Sequence, residues 1–155
     1  MIVKGGGKTE SDVQYSAKDV SDHIINYCSS VGRPITNLEL QKILYFVAGE
    51  FFRISGRDII AEDFESWQIG PVIPGVYDTF SIYGGDPLKP VSTKAKISPE
   101  DTEVINRVVD RCIGMAAWEL VRKTNETDPW KRTYSMFGRW ARISKYSMKR
   151  YFENL

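Results

Sequence analysis

Residues 34–56, PITNLELQKILYFVAGEFFRISG, constrain the fold more than any other part of this 155-residue chain. The stretch is too apolar for an ordinary surface helix and too short and interrupted for a membrane span. Thr36 and Glu39 have capping-box spacing, with Ile35 and Leu40 placed as the hydrophobic staple around it. Gly56 supplies a left-handed stop. Between these ends Leu40, Ile43, Leu44, Val47, Phe51 and Ile54 line one face, and Tyr45, Phe46, Ala48 and Phe52 fill most of the remainder. A helix apolar on most sides is enclosed by other elements. The spacing therefore predicts a central helix.

The flanking segments supply elements to enclose it. A first helix is expected from Ser16, with Asp19 in the capping position, Tyr15 and Val20 as a staple, and Gly32-Arg33-Pro34 as its end. Residues 57–69 alternate, with Glu65, Trp67 and Ile69 on one side and Phe64, Ser66 and Gln68 on the other, predicting one or two short strands. The GPVIPG run at residues 70–75 reads as turn chemistry leading into a helical first turn. Val76, Tyr77, Phe80 and Tyr83 continue a helical stripe to Gly84. Residues 84–96 read as a mobile loop, rich in glycine, proline and lysine. SPED at 98–101 opens a helix carrying Val104, Ile105, Val108, Val109 and Cys112 inward. Further helices are expected at about 115–124, from the TDPW turn near Trp130, and after Ser144. The sum is a mainly α fold: a single compact domain of six to seven helices with a small extended element.

Residues 1–14 read as a flexible N-terminal extension, leaving residues 15–155 as the domain. GGGKT at 5–9 imitates the end of a phosphate-binding loop, but counting back to the glycine such a loop requires lands on Ile2. Two residues do not form the preceding strand, and nucleotide binding is not expected. The N-terminus lacks an apolar signal core, so the expected location is the cytoplasm.

Reactive side chains are few. His23 is the single histidine, Cys28 and Cys112 sit in apolar helical patterns as reduced thiols, and no ligand spacing suits zinc. Glu62, Asp63 and Glu65 form an acidic group whose simplest reading is a solvated strand face. These features imply no enzyme, no metal and no cofactor, with a hydrolase the least supported alternative.

Charge is distributed unevenly. Residues 58–88 hold six acidic side chains and no lysine or arginine; residues 129–152 hold seven basic ones and no aspartate or glutamate. Trp130, Tyr134, Phe137, Trp140, Tyr146, Tyr151 and Phe152 are interleaved in the basic block. Cations mixed with rings suit nucleic acid, or a protein interface rich in Trp, Tyr and Arg. They also suit core rings beneath a solvated face partly neutralised by the acidic block. The residues alone leave the three open.

Four stretches taken together resemble the Panacea domain, the family of SocA-like antitoxins and phage-associated GepA-type proteins. They are YSAKDVSDHII (15–25), PITNLELQKILYFVAGEFF (34–52), SWQIGPVIPGVYDTFSIYG (66–84), and TDPW to ISKYSMKRYF (127–152). PITNLELQKILYF followed by W-x-x-GPV-x-P-x-VY is the specific part. The family often has Thr-His before the acidic turn; here the pair is Thr124-Asn125. The resemblance implies an antitoxin of a bacterial or prophage toxin-antitoxin system, neutralising a protein toxin by binding it. It also implies, in one branch, delivery of that toxin to an ATP-dependent protease, and no shared catalytic residues. The expected partner-binding residues are Trp67, Gly70, Pro71, Val72, Tyr77, Tyr83, Trp130 and Trp140, with core packing the competing role for each. A nucleic-acid-binding regulator using the basic aromatic segment is the alternative.

Overall fold

The computed structural model describes residues 13–155. The glycine-lysine stretch and residues 1–12 of the expected extension lie outside them. Val13 and Gln14 are held against the domain: Arg57 Nη2 donates to the Val13 carbonyl oxygen at 3.0 Å, and Gln14 Nε2 donates to Asp58 Oδ2 at 3.2 Å.

Seven α-helices make up most of the described chain: α1 (Ala17–Ser30), α2 (Asn37–Ser55), α3 (Pro74–Thr79), α4 (Pro99–Cys112), α5 (Ala117–Asn125), α6 (Asp128–Phe137) and α7 (Lys145–Glu153). A 3₁₀ turn at Ser81–Tyr83 follows α3. Three short strands, β1 (Phe64–Trp67), β2 (Gly70–Val72) and β3 (Ala141–Ile143), form one antiparallel sheet in the order β2-β1-β3. The fold is the mainly α domain with a small extended element that the pattern predicts.

Helix α2 is the hub, packing against α1, α3, α4, α5, α7 and β2. Its start is the predicted box: Thr36 Oγ1 accepts from the Glu39 amide at 3.2 Å, while Glu39 Oε1 accepts from the Thr36 amide at 2.9 Å. Gly56 ends it in the left-handed conformation at φ 69°. Leu40, Ile43, Leu44, Tyr45, Val47, Phe51 and Phe52 are buried. Ile54 is the exception to the expected face. It is 44% exposed, because the last turn, Arg53 to Ser55, projects beyond the elements that wrap the helix.

The helix starts at α1, α4 and α7 are capped by Ser16, Ser98 and Ser144, each accepting from the amide three residues on. Their first turns are thereby supplied with an acceptor for one otherwise unpaired N–H. Loop 84–96, expected to be mobile, is tied at two points. The Leu88 amide donates to the Ile35 carbonyl at 2.7 Å, and Val91 exchanges hydrogen bonds with the Asn26 side chain. Arg57 makes a bidentate pair with Asp101 of α4, both bonds at 3.0 Å, and Tyr15 donates to the same carboxylate at 2.6 Å. Burial works against the Asp101 charge, yet the Arg57 and Tyr15 hydrogen bonds hold its carboxyl below the usual range.

Two parts of the sheet differ from the sequence expectation. Gly70-Pro71-Val72 is a strand rather than a turn; it pairs with β1 in the register Glu65–Val72, Ser66–Pro71, Trp67–Gly70. Pro71 tolerates this because β2 is an edge, where a missing N–H breaks no second ladder. Ala141–Ile143 forms β3 against β1, with Phe64 opposite Ile143. Three residues carry no readable period, so its pairing comes from the fold around it.

Candidate interaction site

Six of the eight expected contact residues gather at the β1–β2 hairpin. The Trp67 and Tyr77 rings lie 5.1 Å apart between centroids. Trp130 Nε1 donates to the Trp67 carbonyl at 2.9 Å, and its ring stacks on Tyr134 at 4.7 Å. Gly70, Pro71 and Val72 complete the group as buried backbone, and Trp130 is only 8% exposed. Tyr83 is half-buried against the core in the 3₁₀ turn. Trp140, immediately before β3, is tied to the hairpin through its backbone alone, and its ring is exposed.

What holds the hairpin is a row of polar side chains from the first half of α2. Lys42 Nζ donates to the Pro71 carbonyl at 2.8 Å. Gln41 Oε1 accepts from the Ile73 amide at 2.9 Å, and Gln41 Nε2 donates to Asn37 Oδ1 at 3.1 Å. Asn37 Nδ2 then donates to the Tyr77 carbonyl at 3.0 Å. All three side chains are buried. The separated sequence pieces NLELQK and GPVIPGVY are thus two halves of one hydrogen-bonded clamp.

Lys42 is fully buried, and desolvation pulls its pKa down to about 7. Gly70 makes room for it: a Cβ there would sit 2.9 Å from the Lys42 amine and 3.0 Å from Asn125 Oδ1, at a φ of 103°. Asn125 therefore packs beside the buried lysine. Tyr45 is equally enclosed, its hydroxyl 2.7 Å from Thr127 Oγ1, with burial pushing its pKa up. The sequence reading passed over Lys42. Its signal was available: a lysine flanked by Gln41 and Ile43 in a helix that is apolar on most sides.

A second surface lies beyond the hairpin, on α6, β3 and α7. Met136, Phe137, Trp140 and Tyr146 are 72, 70, 64 and 69% exposed. Trp140 is the one non-glycine residue with positive φ among the described residues, at 63°. That conformation costs a bulky L-residue on the order of 1–3 kcal/mol. Its amide is nonetheless engaged, donating to the Ser66 carbonyl at 3.0 Å. The backbone is held while the indole faces outward. Met136, Phe137 and Tyr146 were not among the expected contacts, since exposure of a ring or thioether is not encoded in its identity.

The acidic and basic blocks meet at two points. Lys145 Nζ lies 2.6 Å from Asp58 Oδ1, and Arg142 Nη1 lies 3.7 Å from Asp63 Oδ2. Lys131, Arg132, Arg139, Lys149 and Arg150 form no ion pair among the described residues. Of the acidic trio, Glu62 caps α1 by accepting from the Ala17 amide at 2.8 Å, and Glu65 accepts from Trp67 Nε1 at 2.9 Å. Each carboxylate thus has its own structural partner. Among the described residues no three His, Cys, Asp or Glu side chains are grouped to hold a metal ion.

His23 Nε2 lies 2.8 Å from Asn106 Oδ1 and joins α1 to α4. Cys28 and Cys112 are buried and unpaired, their thiols pushed by burial up to about 12. Neither thiol is in the thiolate form a nucleophile needs near neutral pH. Among the described residues no helix is long and apolar enough to cross a membrane.

The model of a family described as "Antitoxin SocA-like, Panacea domain" matches residues 40–131, from the first turn of α2 into α6. Antitoxin SocA of Caulobacter vibrioides (strain NA1000 / CB15N) is 38% identical over 76 residues, which cover 49% of this chain and 40% of that protein. The alignment thus spans less than half of that relative's length. No solved structure matches the chain.

Proposed function

The chain belongs to the SocA-like antitoxin family with the Panacea domain, and from that premise we propose that it neutralises a protein toxin by binding it. The observation that carries this reading is the exposure of Met136, Phe137, Trp140 and Tyr146, with the Arg150 guanidinium set against the Tyr146 ring. Large aromatic side chains and arginines supply most of the energy at protein interfaces. A folded chain that holds Trp140 in a strained backbone, with its ring in water, has the form of a binding surface rather than of a core.

Neutralisation takes one of two routes, occlusion of the toxin alone or occlusion followed by delivery to an ATP-dependent protease. The test is expression of the adjacent reading frame alone, which should arrest bacterial growth, and co-expression with this chain, which should restore it through an isolable complex. A toxin level that falls during rescue supports delivery; a constant level supports occlusion. Rescue with no complex and an undiminished toxin overturns the binding reading.

One observation favours a nucleic-acid-binding reading: five cations without ion pairs among the described residues are interleaved with exposed rings in residues 131–150. Affinity for single-stranded DNA or RNA that falls steeply with salt would support it.

A further inference from the structure

Helices α6 and α7 flank an open groove of about 510 Å3, within the range of sites that hold a ligand or a partner side chain. Pro129, Arg132 and Thr133 line it from α6, and Tyr146, Arg150 and Tyr151 from α7. Residues 129, 132, 133 and 136 share one face of α6 by helical spacing, so exposed Met136 continues that wall by a turn. Leu155, 69% exposed, adds apolar surface to the lining.

Arg150 is already oriented: its guanidinium lies 5.8 Å from the centre of the Tyr146 ring, and Nη1 donates to the Tyr146 hydroxyl at 3.3 Å. Arg132 on the opposite wall has no ion pair among the described residues. Asp128, in the first turn of α6, is the one carboxylate side chain in the lining. Two cations against one carboxylate make the side chains of the lining net positive, with apolar surface between the charges.

We infer that this groove receives an acidic amphipathic helix of a protein partner, the toxin if the antitoxin reading on which that identity rests holds. Two ridges of side chains with a trough between them are what a third helix packs into. Its glutamates or aspartates would pair with Arg132 and Arg150, while its apolar residues cover Met136, Tyr151 and Leu155. Asp128 disfavours a phosphate backbone at the same place, because a polyanion brings charge along its whole length. The groove lies mostly beyond residues 40–131: the family match supplies Asp128 and Pro129, and the segment after it supplies both cations.

The test uses the full chain and two fluorescein-labelled stapled helical peptides, about four turns long so that helicity is not marginal. They share one leucine face and differ in carrying glutamate or lysine along its flanks. A single-stranded oligonucleotide is the third probe. The acidic peptide should bind at least about tenfold more tightly than the lysine peptide. That preference should vanish in Arg132→Glu/Arg150→Glu, whose side chains are exposed and whose fold is checked by circular dichroism. Tyr146→Ala should weaken binding without reversing the preference. Equal binding of the two peptides, binding unchanged in the double variant, or binding of the oligonucleotide alone overturns the inference.

The antitoxin reading is tested separately. Growth rescue by the double variant at the wild-type level overturns the assignment of the groove to the toxin and leaves that reading standing. Failure of the wild-type chain to rescue defeats the antitoxin reading, and the peptide titration still decides the groove.

Discussion

The Lys42 amine donates its hydrogen bond to the Pro71 carbonyl oxygen at 2.8 Å, inside the protein and out of contact with water. This bond joins the central helix to the edge strand of the sheet. With the Gln41 and Asn37 bonds it fixes the β1–β2 hairpin, and through that hairpin the position of Trp67 and Tyr77.

The buried amine should make stability depend on pH. Its pKa is lowered in the folded state from 10.5 to about 7. Between those values the unfolded chain holds the proton and the folded chain does not, so raising the pH favours folding. The thiols act oppositely: Cys28 and Cys112 are raised from 9.0 to about 12, so their stabilisation is lost as pH rises above 9. Between pH 7 and about pH 9, urea denaturation should show stability rising by about 2 kcal/mol. In Lys42→Met the rise should be absent, leaving only the small fall with pH that the two thiols contribute. A wild-type profile that falls across this window would contradict the buried neutral amine.

Gly49 permits the close approach of α2 and α7. A Cβ at this position would lie 2.5 to 2.7 Å from three ring carbons of Phe152. That ring is buried and set edge-on against Tyr45 and Tyr151, which leaves it little freedom to withdraw. Gly49→Ala improves helix propensity by about 1 kcal/mol, but overpacking costs about 1–3 kcal/mol or more. The net expectation from thermal denaturation is a loss. Adding Phe152→Leu should restore part of it, a non-additivity that unrelated sites would not show.

The hub itself should be sensitive to truncation. Leu44 is fully buried, and Leu44→Ala should cost about 2–5 kcal/mol from lost transfer energy and the cavity left behind. Thr36→Ala loses only a cap and should cost about 1 kcal/mol. Chemical denaturation of the two variants side by side checks the ranking.

Trp140 separates stability from function. Trp140→Gly relieves the left-handed strain while adding backbone entropy to the unfolded chain, so stability should change by less than about 1 kcal/mol. Growth rescue should nevertheless fall, since the exposed indole is lost. For comparison, Trp67→Ala should reduce both, because Trp67 is half-buried against Tyr77 and its carbonyl accepts from Trp130. A Trp140→Gly chain that is equally stable and rescues fully would remove Trp140 from the interface.

The amino-acid sequence by itself determined the central helix, its two caps and the helical character of the chain. These follow from short-range physics: a capping box spans four residues, a left-handed stop needs one glycine, and an apolar face repeats within a few turns. Tertiary structure decided what lies far apart along the chain. GPV became a strand because β1 and the clamp from Asn37, Gln41 and Lys42 satisfy its backbone; local turn propensity pointed elsewhere. Ala141–Ile143 became a strand by pairing with Phe64–Ser66, too short a segment to announce itself by alternation. The same division holds at the candidate site. Residue types alone showed that rings and arginines cluster in residues 129–152. Trp130 is buried and Trp140 exposed because one indole found a carbonyl partner and a neighbouring ring within the fold, while the other, held at positive φ, is turned toward solvent.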